Sequence, residues 1–309
     1  MTDVAGRPES ALLTPHVALR RVEIVVNPMS GGTGPEAATE ARDLLRAYEL
    51  EANVVEAEPP RVEAAIEAAF ATNPDVVFVL AGDGTARTAA AMAGLDGPLV
   101  SPLPGGTMNL LPKALYGTAD WRVALHRALT EGLERTVSGG EVAGRPFYCA
   151  AVLGSPALWA PAREAVRNRR PTLAYLHARR AMRRAFTTRV RFKLDGEEFH
   201  RAEALGLLCP LISKAMDEPT GLEAALIKPS RAAEVFRLAA TAVFSDWRDD
   251  ASVETRVIQR VDAWSRQRIP AILDGEPVQL QPEVEVKFLP VAFRALAPAR
   301  DLSPAGGSA

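Results

Sequence analysis

The stretch Asp75-Val-Val-Phe-Val-Leu-Ala-Gly-Asp-Gly-Thr-Ala-Arg-Thr88 decides how the chain is read. Val76 to Ala81 is a continuous apolar run, the signature of a strand buried on both faces of a parallel sheet. It breaks at Gly82-Asp83-Gly84-Thr85 and enters an Ala-rich helical stretch, Ala86 to Ala93. Strand, glycine turn and helix start together offer backbone N–H groups and a positive dipole end to a phosphate. Two glycines let a ligand approach the backbone closely. Thr85 or Asp83 is expected to cap the helix. A tight βα turn without ligand explains this stretch equally well when it is taken alone.

Two more turns of the same kind shift that balance. Arg20 to Val26 reads as a strand that ends at Asn27-Pro28, followed by Met29-Ser-Gly-Gly-Thr-Gly34 and Pro35 at a first helical position, with a helix from Glu36 to about Glu49. Pro98 to Leu103 reads as another strand, then Pro104-Gly-Gly-Thr-Met-Asn109 and a helix from Leu110 to Leu115. Between them lie a short strand, Ala52 to Glu56, and a helix, Arg61 to Phe70. A further helix spans Trp121 to Leu133. This alternation predicts an α/β domain over residues 20–138, a doubly wound and mostly parallel sheet with all three glycine loops at the carboxyl ends of strands, where such sheets bind ligands. Gly32 to Ala37 formally fits the GxGxxG/A dinucleotide fingerprint, but six residues from Asn27 to Gly32 separate it from the strand end.

The pattern changes near Ser138-Gly139-Gly140. Alternating segments follow at Thr188 to Leu194, Phe199 to Leu208, Leu222 to Ile227, Ala271 to Leu273 and Val278 to Phe288. They predict a β-rich, sandwich-like C-terminal domain over 139–287, with residues 288–300 returning to complete the first. Leu-Asp-Gly-Glu occurs twice, at 194–197 and 273–276. Asp-Gly between apolar residues is a short hairpin turn. Asp274 with Glu276, or Asp195 with Glu197, would equally form a carboxylate pair able to take a proton from a hydroxyl.

Composition narrows the classes. The 309 residues suffice for two domains, and 48% apolar with 24% charged is ordinary for a soluble globular protein. A formal net charge of −2 argues against a general nucleic-acid binder. Cys149 and Cys209 lack metal-ligand spacing, which favours a reducing, cytosolic setting. No apolar run reaches membrane-spanning length, and no signal peptide is recognised. Arg163 to Lys193 concentrates 11 basic residues against Glu164 alone, interleaved with Leu173, Tyr175, Leu176, Met182 and Phe186. That segment fits either a solvated helix face or a surface facing anionic lipid; few aromatics make RNA a poorer fit.

Of the candidate ligand residues, Asp83 stands out, because a carboxylate beside phosphates repels them unless Mg²⁺ lies between. Asn27 and Asn109 either contact a ligand or hold their own turns through Asx motifs, the turn being favoured for each.

Four motifs in order resemble those of the diacylglycerol kinase catalytic family, which includes bacterial lipid kinases and sphingosine and ceramide kinases. They are Asn27-Pro-Met-Ser-Gly-Gly32, Ala81-Gly-Asp-Gly-Thr85 with Ala81 for the first Gly, Pro104-Gly-Gly-Thr-Met-Asn109 and Leu273-Asp-Gly-Glu-Pro277. The resemblance implies an ATP-dependent lipid kinase. ATP would lie on Asn27, Pro28, Ser30, Gly31, Gly32, Gly82, Gly84, Thr85, Gly106, Thr107 and Asn109. Mg²⁺ would sit near Asp83, and Asp274 rather than its twin Asp195 would act as general base for a lipid hydroxyl, with Glu276 beside it. Met216-Asp217 loosely resembles the family's metal-holding turn, making Asp217 a second metal candidate. Leu110 stands where many bacterial members carry Asp, which leans the substrate toward ceramide or a sphingoid base and away from diacylglycerol.

The expected setting is cytoplasmic, peripheral on the inner membrane face, with lipid as partner and no nucleic acid. A homodimer is one option for the assembly. A non-catalytic nucleotide- or lipid-binding regulator that kept the fold is the second reading. An NAD kinase-like protein is a minor third, since the Asn-Glu pair and the late turn are not matched. A dinucleotide-dependent oxidoreductase is a fourth, resting on Gly32 to Ala37.

Overall fold

The computed structural model describes residues 16–167, 170–173, 175–177, 179, 190–197, 199–202, 204–213, 216, 219–227 and 253–299. The chain forms two compact units, one running up to Arg135 and resuming at Arg294, the other Thr136–Phe293.

The first unit is α/β. Its strands β1 (Arg21–Val26), β2 (Glu51–Glu56), β3 (Val76–Ala81) and β4 (Leu99–Pro104) form a parallel sheet in the order β2-β1-β3-β4. Helices α1 (Ala37–Leu45), α2 (Val62–Ala71), α3 (Asp83–Ala93), α4 (Leu110–Tyr116) and α5 (Trp121–Glu131) connect and follow them. Every residue of β3 is buried, as a central parallel strand requires, and so is every residue of β4 at the edge of the sheet. Each fully buried Val or Leu contributes about 1.5–3 kcal/mol, so this sheet is the rigid part of the unit. Its register sets Val26 against Leu80 and Leu80 against Leu103. The carboxyl ends of β1, β3 and β4 are therefore level, and the three glycine loops leave the sheet side by side.

The chain's end completes this unit. Ser101 Oγ donates to the Leu296 carbonyl and accepts the Leu296 N–H, both at 3.0 Å, and the Tyr116 hydroxyl donates to the same carbonyl at 3.0 Å. All three groups are buried, so burial pushes the Tyr116 phenol well above its usual range.

The second unit is β-rich. It holds β5 (Gly132–Val142), β6 (Arg145–Phe147), β7 (Ala150–Gly154), α6 (Ala160–Arg167), β8 (Val190–Leu194), β9 (Phe199–Ala202), β10 (Ala204–Leu208), β11 (Leu222–Ile227), β12 (Val253–Ile258), β13 (Arg260–Trp264), β14 (Ile269–Leu273), β15 (Glu276–Leu280) and β16 (Glu283–Pro298). Two six-stranded sheets result, β12-β11-β10-β7-β14-β15 and β6-β5-β16-β13-β8-β9. The chain enters this unit within β5 and leaves it within β16. One core joins both sheets, including Phe147, Phe192, Leu205, Val261 and Leu273.

Several local expectations change. The run Phe199 to Leu208 is not one strand: β9 pairs with β8, whereas β10 pairs with β7 and β11 in the other sheet. Val278 to Phe288 also divides, at Gln281-Pro282, because Pro282 cannot donate to a ladder. The helix expected from Glu36 to Glu49 stops at Leu45, and Pro35 lies in the preceding turn rather than at the first helical position. The turn's sharp exit at Gly34, φ +86°, delays the helix start.

Candidate active site

The three loops are interlocked through their backbones. The Asn27 N–H donates to the Leu80 carbonyl at 2.9 Å, extending the β1–β3 ladder by one residue. The Gly32 N–H donates to the Gly105 carbonyl at 3.0 Å, and Thr33 Oγ donates to the same atom at 3.2 Å. A Cβ at Gly32 would lie 2.8 Å from the Gly106 carbonyl oxygen. One at Gly105 would lie 2.7 Å from the Ala81 nitrogen, and one at Gly106 would lie 2.9 Å from the Gly82 Cα. These glycines exist so that loop can lie on loop. Gly82 differs: a Cβ there would meet nothing within 4 Å. Open space faces the backbone at that point.

Both asparagines hold their own turns. Asn27 Oδ1 accepts the Met29 N–H at 3.0 Å. Asn109 adopts φ +53°, a conformation Asn tolerates; its Oδ1 accepts the Gly106 N–H at 2.7 Å and its Nδ2 donates to the Gly106 carbonyl at 3.0 Å. Both are buried. Pro28 and Ser30 are half-buried, Gly31 and Thr107 are exposed, and Met29 is 70% exposed.

The capping expectation is overturned. The N-cap of α3 is Gly82, which has no side chain to cap with, and Asp83 and Thr85 lie inside the helix. Asp83 turns outward and caps α4 instead. Its Oδ2 accepts the Asn109 N–H at 2.8 Å, and the carboxylate faces the N–H groups of Leu110 and Leu111. The result is asymmetric. Helix α4 already carries a negative cap, while α3, eleven residues long, begins without one. The first N–H groups of α3 thus have no side-chain cap, beside the open backbone of Gly82, and the one carboxylate in that first turn, Asp83, is directed to α4.

Asp83 Oδ1 is buried and has no hydrogen-bond partner. Burial pushes its carboxyl above the usual range, opposed by the three N–H groups and by the Lys113 charge. A carboxylate oxygen left without a partner is the kind of donor that Mg²⁺ would use, since that ion binds through one or two carboxylates and completes its shell with phosphates and water. Asp83 would be the protein's contribution. Among the described residues no cluster of three His, Cys, Asp or Glu could hold a metal without such a partner. Asp217 lies outside the described residues.

In the second unit Asp274 occupies the turn between β14 and β15, at φ +47° with Gly275 at φ +90°, a geometry that Asp-Gly supplies at little cost. Its carboxylate is nearly buried. Oδ1 accepts the Cys149 and Ala150 N–H groups at 2.8 and 2.9 Å, and Oδ2 accepts the Tyr148 N–H at 2.8 Å. Three such bonds fix its position. Glu276, half-buried, begins β15 beside it. Cys149 and Cys209 are fully buried, and burial with the nearby Asp274 charge pushes the Cys209 thiol well up, leaving it unreactive.

The structure thus groups the expected residues of the first unit along one sheet edge. Sequence reasoning missed Thr33, Gly105 and Lys113. Thr33 and Gly105 lie inside the loops already marked, but their roles depend on cross-loop contacts. Lys113 sits one turn into α4, a spacing that a capping carboxylate on another loop would have been needed to explain.

Comparison with known proteins agrees. Residues 21–142 match the sequence model of the diacylglycerol kinase catalytic domain. No curated protein matches. Among solved structures, the chain is similar to a diacylglycerol kinase of Bacillus anthracis str. Sterne, at 14% identity and TM-score 0.65, covering 91% of this chain and 98% of that one. A second crystal structure from the same strain, of a candidate diacylglycerol kinase, gives 16% identity and TM-score 0.67 with the same coverage. At such identities the likeness speaks for the fold. With the loops and the order of their motifs, the domain match makes residues 21–142 similar to the diacylglycerol kinase catalytic domain.

Proposed function

We propose that the protein is an ATP-dependent lipid kinase that transfers the γ-phosphoryl group to a lipid hydroxyl, with ceramide or a sphingoid base preferred over diacylglycerol. The observation that carries the reading is the asymmetry of the two helix starts: α4 is capped by Asp83, and α3 is left open beside Gly82. A nucleotide phosphate would be bound by the first N–H groups of α3 and the backbone of the Gly82 loop. Interlocked loops hold these donors in place before the ligand arrives, so little ordering is needed on binding. Mg²⁺, when bound at Asp83, would neutralise phosphate charge. Phosphoryl transfer asks little covalent chemistry of a protein and depends on positioning and charge. Asp274 would accept the proton of the lipid hydroxyl, with Glu276 beside it. Its three N–H bonds hold it oriented. That suits a reaction whose acceptor must be aimed more than deprotonated. Leu110 in place of a carboxylate leaves Asp83 as the one acid of the loops, and supports the sphingoid preference.

The test is transfer of labelled γ-phosphate from ATP to ceramide, sphingosine and diacylglycerol, compared in mixed micelles with Mg²⁺. Phosphorylation of a sphingoid lipid above diacylglycerol is expected. No transfer to any of the three would overturn the reading.

One observation favours a non-catalytic nucleotide- or lipid-binding regulator. Asp274 does structural work at its turn that would retain it without catalysis. ATP binding without transfer is the outcome that reading expects.

A further inference from the structure

The outward face of the sheet β6-β5-β16-β13-β8-β9 is divided into two unlike halves. Residues directly opposite on paired strands share a face. Arg191 lies opposite Arg201 and Trp264, and Lys193 lies opposite Phe199 and Asp262. Arg260 lies opposite Lys287, Asp262 opposite Glu285, and Trp264 opposite Glu283. Toward β16 the charges cancel. Arg260 pairs with Asp262 at 2.9 Å and with Glu285 at 2.8 Å, and Lys287 pairs with Glu285 at 2.7 Å. Toward the β9 edge they do not. Arg191 and Arg201, and Arg266 and Arg268 on the turn just past Trp264, are exposed and have no ion-pair partner among the described residues.

The same half carries aromatic surface. Phe199 is 65% exposed, its ring 5.5 Å from that of Trp264 and 6.0 Å from the Lys193 ammonium. Aromatic rings among cations are the composition of a surface that meets a lipid headgroup layer. The described parts of the preceding basic segment, of which residues 168–169, 174, 178 and 180–189 lie outside the described residues, carry Val166, Tyr175 and Leu176 at 66, 67 and 54% exposure. A nucleic acid has no use for exposed aliphatic side chains; an interface with acyl chains does.

From this division we infer that the β8–β9–β13 edge is the surface by which the second unit docks on an anionic bilayer. Arg191, Lys193, Arg201, Arg266 and Arg268 hold lipid phosphates, and Phe199 enters the headgroup layer. The inference rests on the lipid-kinase reading for its choice of a bilayer as partner, and it is tested without catalysis.

The full chain is sedimented with vesicles of phosphatidylcholine alone and of phosphatidylcholine mixed with phosphatidylglycerol. Binding to the mixed vesicles, weakened by salt, is expected. The triple variant Arg191→Gln/Arg201→Gln/Arg266→Gln should bind roughly 100-fold more weakly, at about 1 kcal/mol per cation near such a surface. Phe199→Ser should also weaken binding, and Lys287→Gln, on the neutralised half, should not. Circular dichroism and the thermal transition establish that each variant is folded, and the salt dependence of the unmodified chain gives the same answer without any variant. Equal binding to neutral vesicles, undiminished binding of the triple variant, or a single-stranded oligonucleotide held more tightly through the same residues would each overturn the inference. Phosphoryl transfer in detergent micelles separates the two ideas. The triple variant should match the unmodified chain there, and a chain that binds vesicles but transfers nothing would refute the proposed function while leaving the docking surface intact.

Discussion

Asp195 and Asp274 hold the same position in two hairpins of the second unit. Each sits in a Leu-Asp-Gly-Glu turn with positive φ, +46° and +47°. Each donates its own N–H to the first residue of the neighbouring strand, Arg260 at 3.0 Å and Ala150 at 2.8 Å. In each, Oδ1 accepts the N–H of that residue and of the one before it. The difference is one further bond, from the Tyr148 N–H to Oδ2 of Asp274, and burial: Asp195 is exposed and Asp274 is not.

That parallel supplies a control. Asn in place of Asp keeps one acceptor oxygen and presents an amide to the other site. At Asp274 the amide would face the Tyr148 N–H in a buried place, costing about 1–3 kcal/mol. Asp274→Asn should therefore lower the thermal midpoint, and on the proposed function it should also cut turnover about 100-fold or more while ATP binding persists. Asp195→Asn should cost less stability and no turnover. Equal turnover in both variants would remove Asp274 from the chemistry.

The glycines give a second prediction. Gly106→Ala places a methyl 2.9 Å from the Gly82 Cα, and Gly32→Ala places one 2.8 Å from the Gly106 carbonyl oxygen. Backbone cannot move aside cheaply, so each should destabilise the protein by about 1–3 kcal/mol in denaturant unfolding. Gly82→Ala meets open space at φ −75° and should leave stability within about 0.5 kcal/mol. If the nucleotide lies there, the same methyl should weaken ATP binding, as titration calorimetry would report. A Gly82→Ala protein of normal ATP affinity would move the phosphate seat elsewhere.

Much of this was legible in residues alone. Val76 to Ala81 could be little else than a buried strand, and three glycine turns after strands fixed the loops to one sheet edge. What stayed hidden depended on partners far along the chain. Asp83 looks like a cap for its own helix, and only the placement of Asn109 twenty-six residues on makes it a cap for another. The halves of Phe199 to Leu208 share one alternation, and nothing local says that they belong to different sheets. The twin turns are identical over four residues; the N–H that distinguishes them belongs to Tyr148.

The closing seam of the first unit is a third test. Tyr116 and Ser101 converge on Leu296 in a buried place. Ser101→Ala leaves the Leu296 N–H without its acceptor and should cost about 1–3 kcal/mol. Tyr116→Phe leaves the Leu296 carbonyl one donor, Ser101, and should cost less, near 1 kcal/mol. Thermal unfolding of the two variants and their double would show whether they act through one carbonyl, since the double should fall short of the sum. Strict additivity would mean that the seam is not a single unit.

Asp83 yields a prediction about pH. Its carboxyl is raised by burial, so the folded protein holds the proton more tightly than the unfolded chain does. Protonated Asp83 therefore favours folding. That contribution is full below the unfolded value of 3.8 and is lost as pH rises through the higher folded value. At neutral pH the ionised group sits with Oδ1 buried and unpartnered. Asp83→Asn removes that charge, and its amide oxygen can still accept the Asn109 N–H. The variant should be at least as stable as the unmodified protein at neutral pH, and the gap in midpoint should close as the pH falls below the folded value. The same substitution should abolish Mg²⁺-dependent phosphoryl transfer. A site retained for function at a cost in stability behaves in this way. An Asp83→Asn protein that is less stable at neutral pH would mean that the charge is needed to hold α4, and the carboxylate would then be a structural cap first.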